Sequence, residues 1–157
     1  MEKIAARGAN VVSVGFEAAN DYDLGEIKRK MKVIEQEAAQ KPDVIFTCEC
    51  WTGFGAPPEP PDGPATQMVS EAAAKYGVYI ASPVYRADEQ GRKLNSVQLF
   101  DRSGRLVFTY DKLYPFLGEF MDIPEGMQPA YPGKKAAAYD CDFGRIAFAI
   151  CFDSNFP

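Results

Sequence analysis

The sequence contains no histidine. That absence excludes Ser-His-Asp triads, Cys-His dyads, His-Glu-x-x-His zinc sites and the His-containing deaminase signature. Acid–base chemistry here must use Glu, Asp, Lys, Tyr or Cys. Basic runs are missing too. The 17 Lys and Arg residues are outnumbered by 22 Asp and Glu, for a formal net charge of -5. A nucleic-acid binder needs a basic face, so that class is excluded. No apolar run approaches the roughly 18 residues of a membrane span. The stretch Met1-Glu-Lys-Ile-Ala-Ala-Arg7 lacks the apolar core of a signal peptide. No Asn-x-Ser/Thr acceptor occurs. Cysteine is sparse: Cys48, Cys50, Cys141 and Cys151 are too few for a disulfide scaffold in 157 residues. The expected setting is a reducing cytoplasm, with neither membrane nor nucleic acid as partner.

What remains is an ordinary globular composition, 46% hydrophobic and 25% charged, long enough for one compact domain. Cys48 and Cys50 are two apart, which on a strand puts both on one face. Without a histidine or a second pair they do not make a zinc site. Without Cys-x-x-Cys spacing or a low-pKa setting they do not make a redox pair. No metal and no cofactor is expected.

Along the chain, Val11–Phe16 reads as a first strand, rich in β-branched residues. Asp21 and Asp23 are capping candidates for a helix over Leu24–Gln40. Its apolar face is Ile27, Met31, Ile34 and Ala38; Lys28, Arg29, Lys30 and Lys32 form a solvated side. Pro42 ends it, and Asp43–Cys48 is a nearly continuous apolar strand of the doubly buried kind. A proline-rich loop follows from Trp51 to Gly63. Asp62 and Pro64 open a second helix with Met68, Val69, Ala72, Ala73 and Tyr76 inward. Strands are expected over Val78–Tyr85, Asn95–Phe100 and Leu106–Tyr110, with turns at Asp88–Gly91 and Asp101–Gly104. A second long loop, Asp111–Lys134, holds Pro115, Pro124, Pro129 and Pro132. A last hairpin pairs Ala136–Tyr139 with Arg145–Cys151 and turns at Asp142–Gly144.

That is an α/β chain of about seven strands and two helices. Two helices cover one face of such a sheet, yet the strands are apolar on both: Val44 and Phe46 point one way, Ile45 the other. An apolar sheet face must bury itself against another layer. The sequence also stops at Phe156-Pro157, straight after a strand of buried character. Both features predict the front part of a larger domain, or a piece that pairs with something to complete it.

Three polar residues follow the ends of apolar strands: Glu49, Lys112 and Cys151. Strand ends are where sheets place their chemistry, because the scaffold is rigid and the loops leave room for a ligand. A carboxylate, an ammonium and a thiol suffice for acyl transfer without histidine. Glu49 takes the thiol proton, and the Lys112 charge favours the thiolate and stabilises an oxyanion. The Phe152 backbone N–H is a natural second oxyanion donor. Each residue also has a plain structural reading. Cys151 is then a small buried hydrophobe, Glu49 a surface acid, and Lys112 a surface ion pair with Asp111. The aromatics Trp51, Phe54, Tyr114, Phe116 and Phe120 line an apolar pocket or pack the core.

Three segments settle the choice by resemblance. Asp43-Val-Ile-Phe-Thr-Cys-Glu49, Tyr110-Asp-Lys112-Leu-Tyr-Pro115-Phe-Leu-Gly-Glu119 and Ala149-Ile-Cys151-Phe-Asp153-Ser-Asn-Phe-Pro157 resemble, in order and separation, the three motifs of the nitrilase, or carbon–nitrogen hydrolase, superfamily. The Asn95-Ser-Val segment and the Gly-Arg turn before the last strand fit as well. The resemblance implies an α-β-β-α sandwich, commonly assembled into oligomers. It also implies hydrolysis of a non-peptide carbon–nitrogen bond, in amides and carbamoyl amines more than in nitriles. It maps a general base and acid onto Glu49, an oxyanion stabiliser onto Lys112, a nucleophile onto Cys151 and a positioning glutamate onto Glu119. Many members carry His shortly after the lysine, where this chain has Tyr114. Family domains continue well beyond the cysteine motif. The expectation is therefore a carbon–nitrogen hydrolase domain over residues 1–157, partial at its C-terminus and inactive or poorly folded by itself. Its expected substrate is a small amide-like molecule, and its expected state is a homo-oligomer. Two alternatives stay open: acyl transfer from the same thioester to an amine, and a catalytically silent interaction module of the same fold.

Overall fold

The computed structural model describes residues 8–17, 21–121, 123 and 125–156. The readings made on Met1–Arg7, Pro124 and Pro157 lie outside those residues. The main sheet is built from β1 (Val11–Val14), β2 (Val44–Thr47), β3 (Tyr79–Ala87), β4 (Lys93–Phe100) and β5 (Leu106–Asp111), in that order. The β1–β2 and β2–β3 pairs are parallel, and the β3–β4 and β4–β5 pairs antiparallel. Strands β1, β2, β3 and β5 therefore share one direction. The C-terminal ends of β2 and β5, and the N-terminal end of β4, fall on one rim of the sheet.

Helices α1 (Leu24–Ala38) and α2 (Pro64–Tyr76) cover one face. Asp23 caps α1, its carboxylate accepting the Gly25 and Glu26 N–H groups at 2.7 and 3.0 Å. Ile27, Met31, Ile34 and Ala38 are buried in a core with Val69, Ala72, Ala73, Ile45 and Ile80. Lys30 departs from its expected solvated place. It is 7% exposed, and its Nζ donates to the Trp51 carbonyl at 2.8 Å. A lysine stem runs over apolar surface readily once its ammonium finds an acceptor.

The cap of α2 also differs from expectation. The helix starts from Gly63 without a side-chain cap bond, and Asp62 plays no part. The carboxylate of Glu59, farther back in the proline-rich loop, instead accepts from the Ala65 and Thr66 N–H groups, both at 3.1 Å. Gly63 is needed there: a Cβ on it would meet the Glu59 carboxylate at 2.6 Å.

The opposite sheet face carries Val44, Tyr79, Ala81, Val97, Leu99 and Tyr110. The hairpin of β7 (Ala138–Cys141) and β8 (Gly144–Ala147) packs on it through Cys141 and Phe143, with Ile150 beyond. Helix layer, main sheet and hairpin layer are three layers of the nitrilase-like α-β-β-α sandwich. The second long loop is less irregular than expected. It holds a short helix, α3 (Leu117–Phe120), and a two-residue strand, β6 (Ala130–Tyr131), that pairs with Lys93 and Leu94 of β4. The last predicted strand is shorter than expected. It ends at Ala147, and Cys151 opens a 3₁₀ helix over Cys151–Asn155. No helix among the described residues is long and apolar enough to cross a membrane.

Candidate active site

The rim of the sheet collects the charged groups. Glu49 sits in the turn after β2 and Lys112 directly after β5. Glu119 projects from α3, which the chain after Lys112 reaches within seven residues. Lys112 is 1% exposed, so it is not the surface partner of Asp111; Arg86 takes that role with a fork of bonds at 2.7 and 2.9 Å. The Lys112 Nζ lies 2.6 Å from Glu119 Oε2 and 3.0 Å from Glu49 Oε1. Burial pulls the ammonium pKa down, but the Glu119 hydrogen bond and the Glu49 charge outweigh it and hold the pKa above its ordinary value. An ammonium has three hydrogens. Two are engaged by the carboxylates, which leaves one for a developing oxyanion.

Asn95 completes the frame. Its Nδ2 donates to Glu49 Oε1 at 2.7 Å and to Glu119 Oε1 at 2.8 Å, so one amide bridges both acids. Glu119 Oε2 also accepts the Phe116 N–H at 2.9 Å. Sequence reasoning noted Asn95 without giving it a role; the available signal was an amide at a fully buried strand position. Lys112 is fixed through its backbone as well. Its N–H donates to the Asn95 carbonyl at 2.8 Å, and its carbonyl accepts the Gly133 N–H at 2.7 Å. Gly133 lies so close that a Cβ on it would meet the Asp111 carbonyl oxygen at 2.3 Å.

Cys151 does not end a strand. It is exposed and left-handed, with φ 46°, a strained conformation for a residue with a side chain. The turn that holds it is tied down by Asp153, another residue given no role beforehand. Asp153 is 6% exposed. Its carboxylate accepts from the Ile150, Leu113 and Tyr114 N–H groups and from the Tyr110 hydroxyl, at 2.7–3.1 Å. The cysteine turn and the lysine segment are thereby fastened to one side chain. Phe152 occupies the first turn of the 3₁₀ helix, where leading N–H groups have no acceptor within the helix.

The thiol of Cys151 is held above its ordinary pKa, first by burial and next by the Glu49 charge; Lys112 opposes both and does not prevail. The expected thiolate-favouring effect of Lys112 thus has the right sign and too small a size. A protonated thiol beside a carboxylate is suited to give up its proton as it attacks, not before.

Cys48 and Cys50 do not share a strand face, because β2 ends at Thr47. Cys48 Sγ accepts the Phe16 N–H at 3.4 Å, while Cys50, at φ 57°, places its sulfur 3.4 Å from the Tyr85 hydroxyl. Burial pushes the Cys50 thiol up to about 11. Of the loop aromatics, Trp51 is core, 1% exposed, with its Nε1 donating to Ser82 at 3.0 Å. Tyr114, Phe116 and Phe120 are exposed. Phe116 meets Phe152 edge-on at 5.7 Å, and Tyr114 stacks on Phe156 at 4.0 Å. A cavity of about 190 Å³ opens beside Glu49 and Cys151, with Phe46, Ala81, Val97 and Phe148 in its wall. A larger one, about 490 Å³, lies near Arg86 and Lys134 and contains none of the predicted site residues.

Comparison with known proteins agrees with this architecture. The chain is 26% identical to omega-amidase NIT2 of Danio rerio over 139 residues, covering 82% of this chain and 49% of that protein. It is 32% identical to the deaminated glutathione amidase of Yersinia enterocolitica over 102 residues, 61% of this chain and 36% of that one. The chain thus spans about half or less of the length of these relatives. The crystal structure of Saccharomyces cerevisiae Nit3, of the nitrilase superfamily, superposes with a TM-score of 0.80 at 18% identity, over 99% of this chain and 59% of that one. The model of the carbon-nitrogen hydrolase family matches residues 3–157. With nearly every residue inside that match, the chain belongs to the carbon–nitrogen hydrolase family.

Proposed function

We propose that the protein is an amidase-type hydrolase that cleaves a non-peptide carbon–nitrogen bond through a thioester on Cys151. The observation that carries this reading is the buried Lys112 ammonium, clasped by Glu49 and Glu119 on the rim where Cys151 stands exposed. In the first half-reaction the Cys151 sulfur attacks the substrate carbonyl carbon while Glu49 accepts the thiol proton. The free hydrogen of Lys112 and the Phe152 N–H hold the oxyanion. As the tetrahedral intermediate collapses, Glu49 returns the proton to the departing amine and the carbon–nitrogen bond breaks. In the second half-reaction Glu49 takes a proton from water, the hydroxide attacks the thioester, and the sulfur leaves and regains its proton. Glu119 serves as the positioning acid, holding Lys112 through a 2.6 Å bond.

The amidase names of the relatives support an amide as substrate; the reading includes a small molecule, a cytoplasmic setting and a homo-oligomer. The test is ammonia release by the full-length protein from a panel of small amides. Cys151→Ala should abolish release while leaving the thermal unfolding curve within about 1 kcal/mol of wild type. Undiminished turnover in that variant would falsify the nucleophile assignment. Added hydroxylamine distinguishes hydrolysis from acyl transfer by the product formed.

A further inference from the structure

The proposed chemistry leaves one buried cation beside the site unused. Lys93 lies on β4, two residues before Asn95, and is 5% exposed. Its Nζ sits 3.7 Å from the centroid of the Tyr85 ring on the neighbouring strand. Among the described residues it forms no ion pair. A buried ammonium with only a ring face beside it is unfavourable unless an opposite charge is near. Such a charge is present. Lys93, Tyr85, Phe54, Gly118 and Glu119 all line a void of about 10 Å³, room for a single water. The clasp around Lys112 also needs a second cation. Two carboxylates face one ammonium there, which leaves a surplus negative charge in a site where Lys112 and Glu119 are both buried.

We propose that Lys93 is a positioning residue: seated on the Tyr85 ring, its ammonium faces Glu119 across the void and supplies the counter-charge for the two-carboxylate clasp around Lys112. The inference rests on the roles proposed for those two glutamates. The elements packed against Lys93 bring these groups to it: Tyr85 from β3, Cys50 from the turn after β2 and Glu119 from α3, while β6 pairs with Lys93 through Ala130 and carries Tyr131 beside it. Glu119 in turn faces Lys112 and Asn95, and through them Glu49. Burial lowers the pKa of Lys93, and the charges of Cys50 and Glu119 work against it. Burial pushes the Cys50 thiol up to about 11, so it carries no charge near neutrality, which leaves Glu119 as the acid that faces Lys93 across the void.

The experiment compares the pH dependence of kcat/KM for wild type, Lys93→Met and Lys93→Arg in the full-length protein. Lys93→Met takes the counter-charge away from the clasp, so the acid limb of its profile should move up by about one pH unit. On that limb kcat/KM then falls about tenfold, with most of the loss in kcat, and recovers as pH rises. Lys93→Arg keeps the charge and should keep the wild-type limb. An unshifted limb in Lys93→Met, or an equal shift in Lys93→Arg, overturns the proposal. Thermal unfolding gives a readout that does not depend on turnover. Lys93→Gln should lower Tm more in the wild-type background than in a Glu119→Gln background, and equal losses would also overturn it. Activity surviving in Cys151→Ala removes the nucleophile assignment and leaves this charge coupling to be judged by the unfolding cycle.

Discussion

The Tyr110 hydroxyl donates to Asp153 Oδ2 at 2.7 Å and so joins the end of strand β5 to the bend that presents Cys151. Asp153 holds three backbone N–H groups besides. Replacing it with alanine leaves four donors without their acceptor, two of them buried and two half-buried, at a cost of about 3 kcal/mol or more. The nucleophile also loses its placement, for which about 100-fold in kcat is expected. Tyr110→Phe removes one of the four bonds and should cost about 1 kcal/mol with a far smaller loss of turnover. Denaturant unfolding and steady-state kinetics on both variants check the ranking. Equal effects of the two would mean that Asp153 is not the fastening point.

Cys151 reactivity and turnover should respond oppositely to one substitution at Glu49. The Glu49 charge is among the causes that raise the Cys151 pKa, second to burial. Glu49→Gln removes it, so the midpoint of iodoacetamide alkylation at Cys151 should move to lower pH. At pH 8 the variant thiol then labels faster than wild type. Turnover should nevertheless drop by about 10²–10⁴, because the base is gone. Mass spectrometry of the Cys151 peptide across pH 6 to 10 reads the midpoint. A midpoint that rises or stays fixed contradicts the electrostatics of the site.

Asp101 makes stability depend on pH in a separate part of the fold. Burial acts to raise its pKa, but hydrogen bonds from Ser103 and Arg105 more than offset this and bring it down to about 2. A carboxylate depressed in the folded state stabilises above its unfolded pKa, near 3.9, and loses that contribution as pH falls through the folded value. The stability difference between wild type and Asp101→Asn should therefore be constant from pH 7 to about 5 and shrink below about 4. Urea unfolding at intervals between pH 6 and 3 measures it. A difference that widens toward acid would be the wrong sign.

Which parts of this molecule could be read from its sequence follows from the range of the forces involved. Helix α1 was legible because Asp23 and the face Ile27, Met31, Ile34 and Ala38 act within a few residues of one another. The α2 cap was not, because Glu59 reaches it from outside the helix by way of a loop whose path depends on Tyr22 and Tyr85. The alternation of Ile146, Phe148 and Ile150 resembles a strand running on to Cys151, and all three do pack toward the sheet. Pairing stops at Ala147, however, and Asp153 folds the chain back by accepting the Ile150 N–H at 2.9 Å. Glu49, Lys112, Glu119 and Cys151 could be singled out as strand-end groups and motif positions. Asn95 could not be assigned a role, since bridging two acids 46 and 24 residues away is a property of the sheet and not of its neighbours in sequence.

The contact of Gly133 with the Asp111–Lys112 backbone has a consequence for how such a chain can diversify. Residues 113–132 leave the sheet at Lys112 and come back to the same carbonyl, so the segment is a bight closed at its neck. Lengthening or rewriting it puts no tension on the ammonium, since both ends stay where the sheet and the glycine pin them. Apart from Leu113 and Tyr114 on Asp153, Glu119 with the residues that hold it, and the β6 pair, that excursion is open to change between one descendant and the next, while the charge it encircles stays in place.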